Sequence, residues 1–166
     1  MPPQLSNPRD LLVQLLGELL YVERRLAGDV LSSLALSVRD DELRSSLEHH
    51  LEQTRAHVER AETAFRRMEI APSANRCSAF EAAVSEHEEL SSKLSAPALA
   101  DVFHAQAALR TEHLELALYT AVLELGAAFD KGEAVEPLRE SRSEEDDARS
   151  TLENALSRLA QEACAR

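Results

Sequence analysis

The chain has 166 residues, enough for one domain with a substantial core, and 44% of them are apolar while only 4% are aromatic. A net charge of −12 repels phosphate, which argues against nucleic acid and anionic membrane surfaces as partners. No apolar run reaches the roughly 18 residues of a spanning helix, no leader pattern opens the chain, and Cys77 and Cys164 have neither zinc spacing nor a disulfide framework, so a cytoplasmic protein is expected.

Leu, Ala, Glu and Arg dominate and Gly occurs only four times, which favours helices over tight-turned strands. The first predicted helix spans about 8–37. Ser6 or Asn7 can cap it, Pro8 suits its first position, and Leu12, Leu16, Leu19, Leu26, Val30 and Leu34 form its apolar stripe. Asp40 caps a second helix over about 41–69, on Leu43, Leu47, Leu51, Val58, Ala61 and Phe65. Ala71-Pro72 ends it. Ser78 with Glu81 has capping-box spacing and opens a shorter helix over about 78–94.

Pro97 begins a third long helix over about 97–129, and Asp130-Lys131-Gly132 separates it from a fourth over about 133–162. The long helices pair as two antiparallel hairpins joined by one long crossover that carries the short helix. The expected architecture is an all-α four-helix bundle in a single domain, residues 1–166. The third long helix has two apolar sides: one through Val102, Leu109, Leu116 and Leu123, another through Phe103, Ala107, Leu114, Leu118, Ala121 and Leu125. One faces the bundle core, and the second implies a homodimer.

Charges fall where an ordinary bundle would place leucine. Glu23 lies midway between Leu19 and Leu26, and Glu145 lies seven residues from both Leu138 and Leu152. A buried carboxylate without a partner costs several kcal/mol, so such groups are paired, protonated or bound to metal. Counting from the predicted turns brings Glu23, Gln53, His57, Glu112, Glu115 and Glu145 to one level of the bundle. Carboxylates and imidazole converging from facing helices are how bundles build di-iron or di-manganese centres.

At these residues the chain resembles the YciE/YciF-type ferritin-like family of bacterial stress proteins. The resemblance rests on Tyr21 with Glu23-Arg24-Arg25-Leu26, on His50-Leu51-Glu52-Gln53-Thr54, and on Cys77-Ser78-Ala79-Phe80-Glu81. It continues in Glu112-His113-Leu114-Glu115 with Tyr119. It implies a ferritin-like bundle, usually dimeric, with a rubrerythrin-like metal site whose ligand positions match Glu23, Glu112, Glu115 and Glu145. Two residues depart from the family pattern. Gln53 stands in place of Glu, and Arg149 in place of Asp. Gln is a weaker ligand for hard metal ions, and Arg stays protonated and points a cation at a cation site.

Two functions follow. In the first, the dinuclear site is incomplete: Arg149 lies among Glu112, Glu115 and Glu145 in place of metal, and the protein is a structural or interaction module. In the second, Glu23, Glu112, Glu115, Glu145 and His57 hold iron or manganese and the protein is an oxidoreductase reacting with oxygen or peroxide. His57 is equally readable as a half-buried hydrogen-bonding group. His49 and His50 diverge by about 100° on a helix and do not chelate one ion together. His113 reads as a core-edge residue, His87 and His104 as surface residues, and Tyr21, Tyr119 and Cys77 as packing residues.

Overall fold

The computed structural model describes residues 5–165. The first helix runs as α1 (Pro8–Arg25), a π turn (Leu26–Val30) and α2 (Leu31–Ser37), followed by α3 (Asp41–Arg67). The crossover carries α4 (Ser78–Ser91), and α5 (Pro97–Ala128), α6 (Gly132–Val135) and α7 (Leu138–Cys164) complete the chain. Helices α1 and α2 pack on α3, α5 packs most extensively on α7, and α1–α5 and α3–α7 contacts close the square. Helix α4 lies outside it, against α5. The all-α four-helix bundle with a crossover helix is therefore as expected.

The start signals act as the sequence suggests at two helices and not at a third. Asn7 Oδ1 accepts from the Asp10 amide at 3.0 Å, and Asp40 Oδ1 accepts from the Leu43 amide at 2.8 Å. Each such cap is worth about 1 kcal/mol. The capping box at Ser78 does not form. Cys77 is the cap residue with no side-chain bond, and Glu81 turns instead to the Tyr21 hydroxyl at 2.9 Å and Arg25 at 3.0 Å. The fourth predicted helix is interrupted at Glu136-Pro137, where the proline lacks the N–H that would continue α6 into α7. Asp130, at φ 57°, makes the left-handed turn that ends α5.

The buried stripes follow alternating steps of four and three residues, the rhythm of left-handed bundle packing. On α3 the stripe is Leu43, Leu47, His50, Thr54, His57, Ala61 and Ala64; on α7 it includes Leu138, Ser141, Glu145, Leu152, Ala155 and Leu159. On α5 it is Asp101, Ala105, Ala108, Glu112, Glu115, Tyr119, Val122 and Gly126. This corrects the two apolar sides read from the sequence. Most of those residues, including Val102, Leu109, Leu114 and Leu125, are only partly buried, and the stripe at the centre of the bundle is the polar, small-residue one between them. The π turn adds one residue to the first helix, so Leu31 rather than Val30 follows Leu26 into the core. Small residues sit where backbones meet: a side chain at Gly126 would collide with Val135, and one at Gly17 with Asn75 of the crossover.

Candidate metal centre

The middle layer of the bundle is polar on all four long helices. Glu23, His50, His57, Glu112, Glu115 and Glu145 are all buried there, flanked above and below by leucine, alanine and phenylalanine. The five residues proposed from the sequence are thus brought together, and His50 joins them. They form two sets of donors, each with its atoms within 4.8 Å of one another: Glu23, His57 and Glu145 in one, His50, Glu112, Glu115 and Glu145 in the other. Glu145 belongs to both.

His57 is the best-held member. Its Nε2 lies 2.9 Å from Glu144 Oε2, and Arg60 Nη1 donates to the same oxygen at 2.6 Å. A Nε2–H donated to Glu144 leaves Nδ1 turned inward, 2.8 Å from Glu145 Oε1 and 3.4 Å from Glu23 Oε2. Burial alone would lower the His57 pKa, but the facing carboxylates of Glu145 and Glu23 outweigh it and push it up to about 10. The Tyr119 hydroxyl donates to Glu23 Oε1. Burial holds the Glu23 carboxyl above its usual range, whereas His57 beside Glu145 overcomes burial and holds that carboxyl below it.

The second set is looser. His50 Nε2 lies 3.5 Å from both Glu112 Oε1 and Glu145 Oε2, and His50 Nδ1 lies 3.5 Å from Gln53 Oε1. Burial pushes the His50 pKa down. Burial, reinforced by the charge of Glu145, pushes Glu112 and Glu115 well up. A cleft of about 220 Å³ lined by His49, His50, Gln53, Glu112, Glu144 and Asp147 reaches this set from the surface.

The residues fit a pair of cations. Beside the His57 Nδ1–Glu145 Oε1 contact, which a protonated His57 satisfies, this centre holds most of the buried side-chain atoms without a hydrogen-bond partner among the described residues: Glu23 Oε2, His50 Nε2, Glu112 Oε2, both oxygens of Glu115 and Glu145 Oε2. Ordinary packing does not concentrate unsatisfied atoms in one layer. A donor set of carboxylate oxygen and imidazole nitrogen suits iron or manganese.

Arg149 is not among these groups. It lies on the outer face of α7, paired with Asp146 at 3.0 Å and Glu153 at 2.7 Å. The sequence-based placement of its guanidinium among Glu112, Glu115 and Glu145 is therefore corrected: the position four residues after Glu145 turns far enough around the helix for a long side chain to find surface acids. Gln53 Oε1 faces His50 Nδ1 at 3.5 Å. Two histidines, His104 and His113, also differ from expectation, and His50 takes a place in the centre that the sequence reading did not give it. His50 is buried in the centre, His104 is buried against His87 at 2.9 Å, and His113 is exposed. The spacing of His50 and His57, two helical turns apart, was the available sign that both share one face.

A family model described as a domain of unknown function, DUF892, matches residues 7–165. The chain belongs to that family. No match is found among curated proteins. Among solved structures, YcfI of Rhodopseudomonas palustris, provisionally assigned a structural role, is 23% identical with a TM-score of 0.88, over 92% of this chain and 97% of its own. The stress protein YciF of E. coli is 22% identical with a TM-score of 0.88, over 95% of this chain and 99% of its own. These likenesses establish the shared fold and bear out the YciF-type resemblance. No helix among the described residues is long and apolar enough to cross a membrane.

Proposed function

We propose that this DUF892 chain is a dinuclear metal–carboxylate protein acting as an oxidoreductase on oxygen or peroxide. The observation that carries it is the pair of donor sets sharing Glu145, with both oxygens of Glu115 and one each of Glu23, Glu112 and Glu145 left without a partner. Glu23 and His57 would hold one ion and His50, Glu112 and Glu115 the other, with Glu145 a member of both sets. Two redox-active ions supply electrons to oxygen or peroxide when bound.

The protein's own part is positioning and proton handling. Glu144, anchored by Arg60, fixes the tautomer of His57 and orients its ring, as carboxylates do behind ligating histidines. Gln53 stands in the same relation to His50. Tyr119 donates a hydrogen bond to Glu23 and leaves the other oxygen of that carboxylate facing inward. The cleft beside His50 and Glu112 admits small polar molecules and passes protons between the centre and solvent by way of Glu144. The competing reading, an incomplete centre in a structural module, loses the Arg149 cation but keeps Gln53 where the family pattern has a carboxylate.

A homodimer through the outer face of α5 belongs to the same proposal, supported by the partly exposed Leu109, Leu114 and Leu125. The unpaired Cys77 and Cys164 support a reducing, cytoplasmic setting. Elemental analysis of protein purified without chelator, and again after loading with Fe(II) or Mn(II), tests the main proposal. About two ions per chain is the expected result. Protein that stays metal-free after loading is not a di-metal protein, and the structural-module reading then takes its place.

A further inference from the structure

Glu23, His57, Glu115 and Glu145 are fully buried, so an ion held by them must first cross the protein. Glu112 lines two spaces that lead outward. One is the cleft of about 220 Å³ between α3 and α7. The other, of about 260 Å³, lies between the π turn with α2, helix α4 and helix α5. Both exceed several times the roughly 30 Å³ share of one water, so size does not choose between them. Charge does.

The larger space is mostly apolar, and its two acids besides Glu112, Asp29 and Glu88, are matched in number by Arg25 and Arg110. The cleft has no arginine or lysine in its lining. Its carboxylates instead form a row of increasing depth: Asp147 is exposed, Glu144 is 25% exposed and Glu112 is 3% exposed. The neighbouring Asp146 is held by Arg149, whereas no cation pairs with Asp147 among the described residues. Both bonds that hold Glu144, from His57 and Arg60, end on Oε2 and leave Oε1 to the cleft side of the carboxylate. At the inner end, Glu112 Oε2 and His50 Nε2 are buried without a hydrogen-bond partner. A cation moving inward therefore meets a carboxylate at every depth. A cleft lined by one sign of charge and walled by low dielectric raises the local concentration of counter-ions. Neither Glu23 nor His57 lines this cleft, so an ion bound for their set passes His50 and Glu112 first.

We propose that the α3–α7 cleft is the entry path for divalent first-row cations, with Asp147 drawing the ion to the mouth and Glu144 relaying it to Glu112 and His50. This rests on the metal centre proposed above and adds a direction of loading to it. Both ions enter past the His50 set, and the Glu23–His57 set fills from there through Glu145, which belongs to both.

The test is stopped-flow uptake of Co(II) by metal-free protein, followed by the visible absorption of the bound ion, beside the stoichiometry at equilibrium. Asp147→Lys should slow uptake at least about tenfold, and Asp147→Asn by less, with the stoichiometry unchanged. The wild-type rate should fall as salt is raised, and Asp147→Lys should lose that dependence. Ala148→Trp, which fills the cleft from α7, should slow the uptake of both ions. Ala107→Trp, which fills the other space from α5, should slow neither. Circular dichroism and the equilibrium stoichiometry show that each variant keeps its fold and its centre. An unchanged rate in either Asp147→Lys or Ala148→Trp overturns the entry path and leaves the centre in place. Slower uptake in Ala107→Trp does the same. A wild-type chain that binds no Co(II) at equilibrium overturns the centre and the path together.

Discussion

The two donor sets solve the same electrostatic problem in opposite ways. Around Glu23, His57 and Glu145 the carboxylate charge is met by a protonated imidazole, itself held by Glu144 and Arg60. Around His50, Glu112 and Glu115 the balance is reached by neutrality, with the acids pushed up and the histidine pushed down. The difference follows from what lies behind each ring. His57 has a carboxylate on both sides, whereas His50 has an uncharged Gln53 behind it. Each set is compensated by protons, and cations entering either would displace them, so metal uptake should release protons.

The largest effect should come from the residue common to both sets. Glu145→Gln should lower the affinity for both ions by more than about tenfold, whereas Glu23→Gln or His50→Ala should each take the stoichiometry from two to one. Elemental analysis distinguishes these outcomes. If Glu145→Gln leaves one ion tightly held, Glu145 does not serve both sets.

Stability of the metal-free protein should then separate the histidines. His57→Ala leaves Glu23 and Glu145 facing one another without a cation, and breaking a buried pair in this way costs about 3–5 kcal/mol. His50→Leu removes a neutral ring from a looser pocket and should cost less than half as much in urea denaturation. Equal losses would mean that the two sets are not differently balanced.

The pH dependence sharpens the same contrast, because the two histidines act with opposite sign. His57 has a folded pKa of about 10 against 6.5 unfolded, so its stabilisation is complete below pH 6.5 and is lost as pH rises through 10. The folded pKa of His50 is depressed, so its contribution runs the other way: it is lost as pH falls below 6.5. Glu112 and Glu115, raised by burial, add to the decline as pH climbs above 4.5. The melting temperature of metal-free protein should therefore fall between pH 6.5 and 10, and His57→Gln should flatten that fall. A fall of unchanged slope in the variant would assign it to other groups.

The fold was legible because its signals were local. Asn7, Pro8, Asp40 and Pro97 mark real helix ends, and leucines on α1 and α7 mark the core. The centre was legible only where a charge interrupted such a stripe, as at Glu23 and Glu145. On α3 and α5 the stripes are polar or small over most of their length, and apolar periodicity led to the flanking Leu51, Val58, Leu109 and Leu114 instead. His50 was missed for that reason, and His104, in the same region of α5 as Ala105 and Ala108, likewise. Arg149 shows the converse limit. Spacing places a Cα on a face, but a long side chain chooses its partners, and Asp146 and Glu153 are available only once α7 is built.

That last residue offers the smallest effect and a direct check on the picture of the centre. Arg149 lies outside both donor sets, in two partly exposed pairs one turn to either side along its helix. Such pairs contribute about 0.3–0.5 kcal/mol each. Arg149→Asp should therefore destabilise the protein by about 1 kcal/mol or less, mostly through new repulsion with Asp146 and Glu153, and leave the bound metal unchanged. A variant that gains metal relative to the wild type would show that the arginine does compete for the centre in solution. The charge balance among His50, Glu112 and Glu115 would then include a guanidinium.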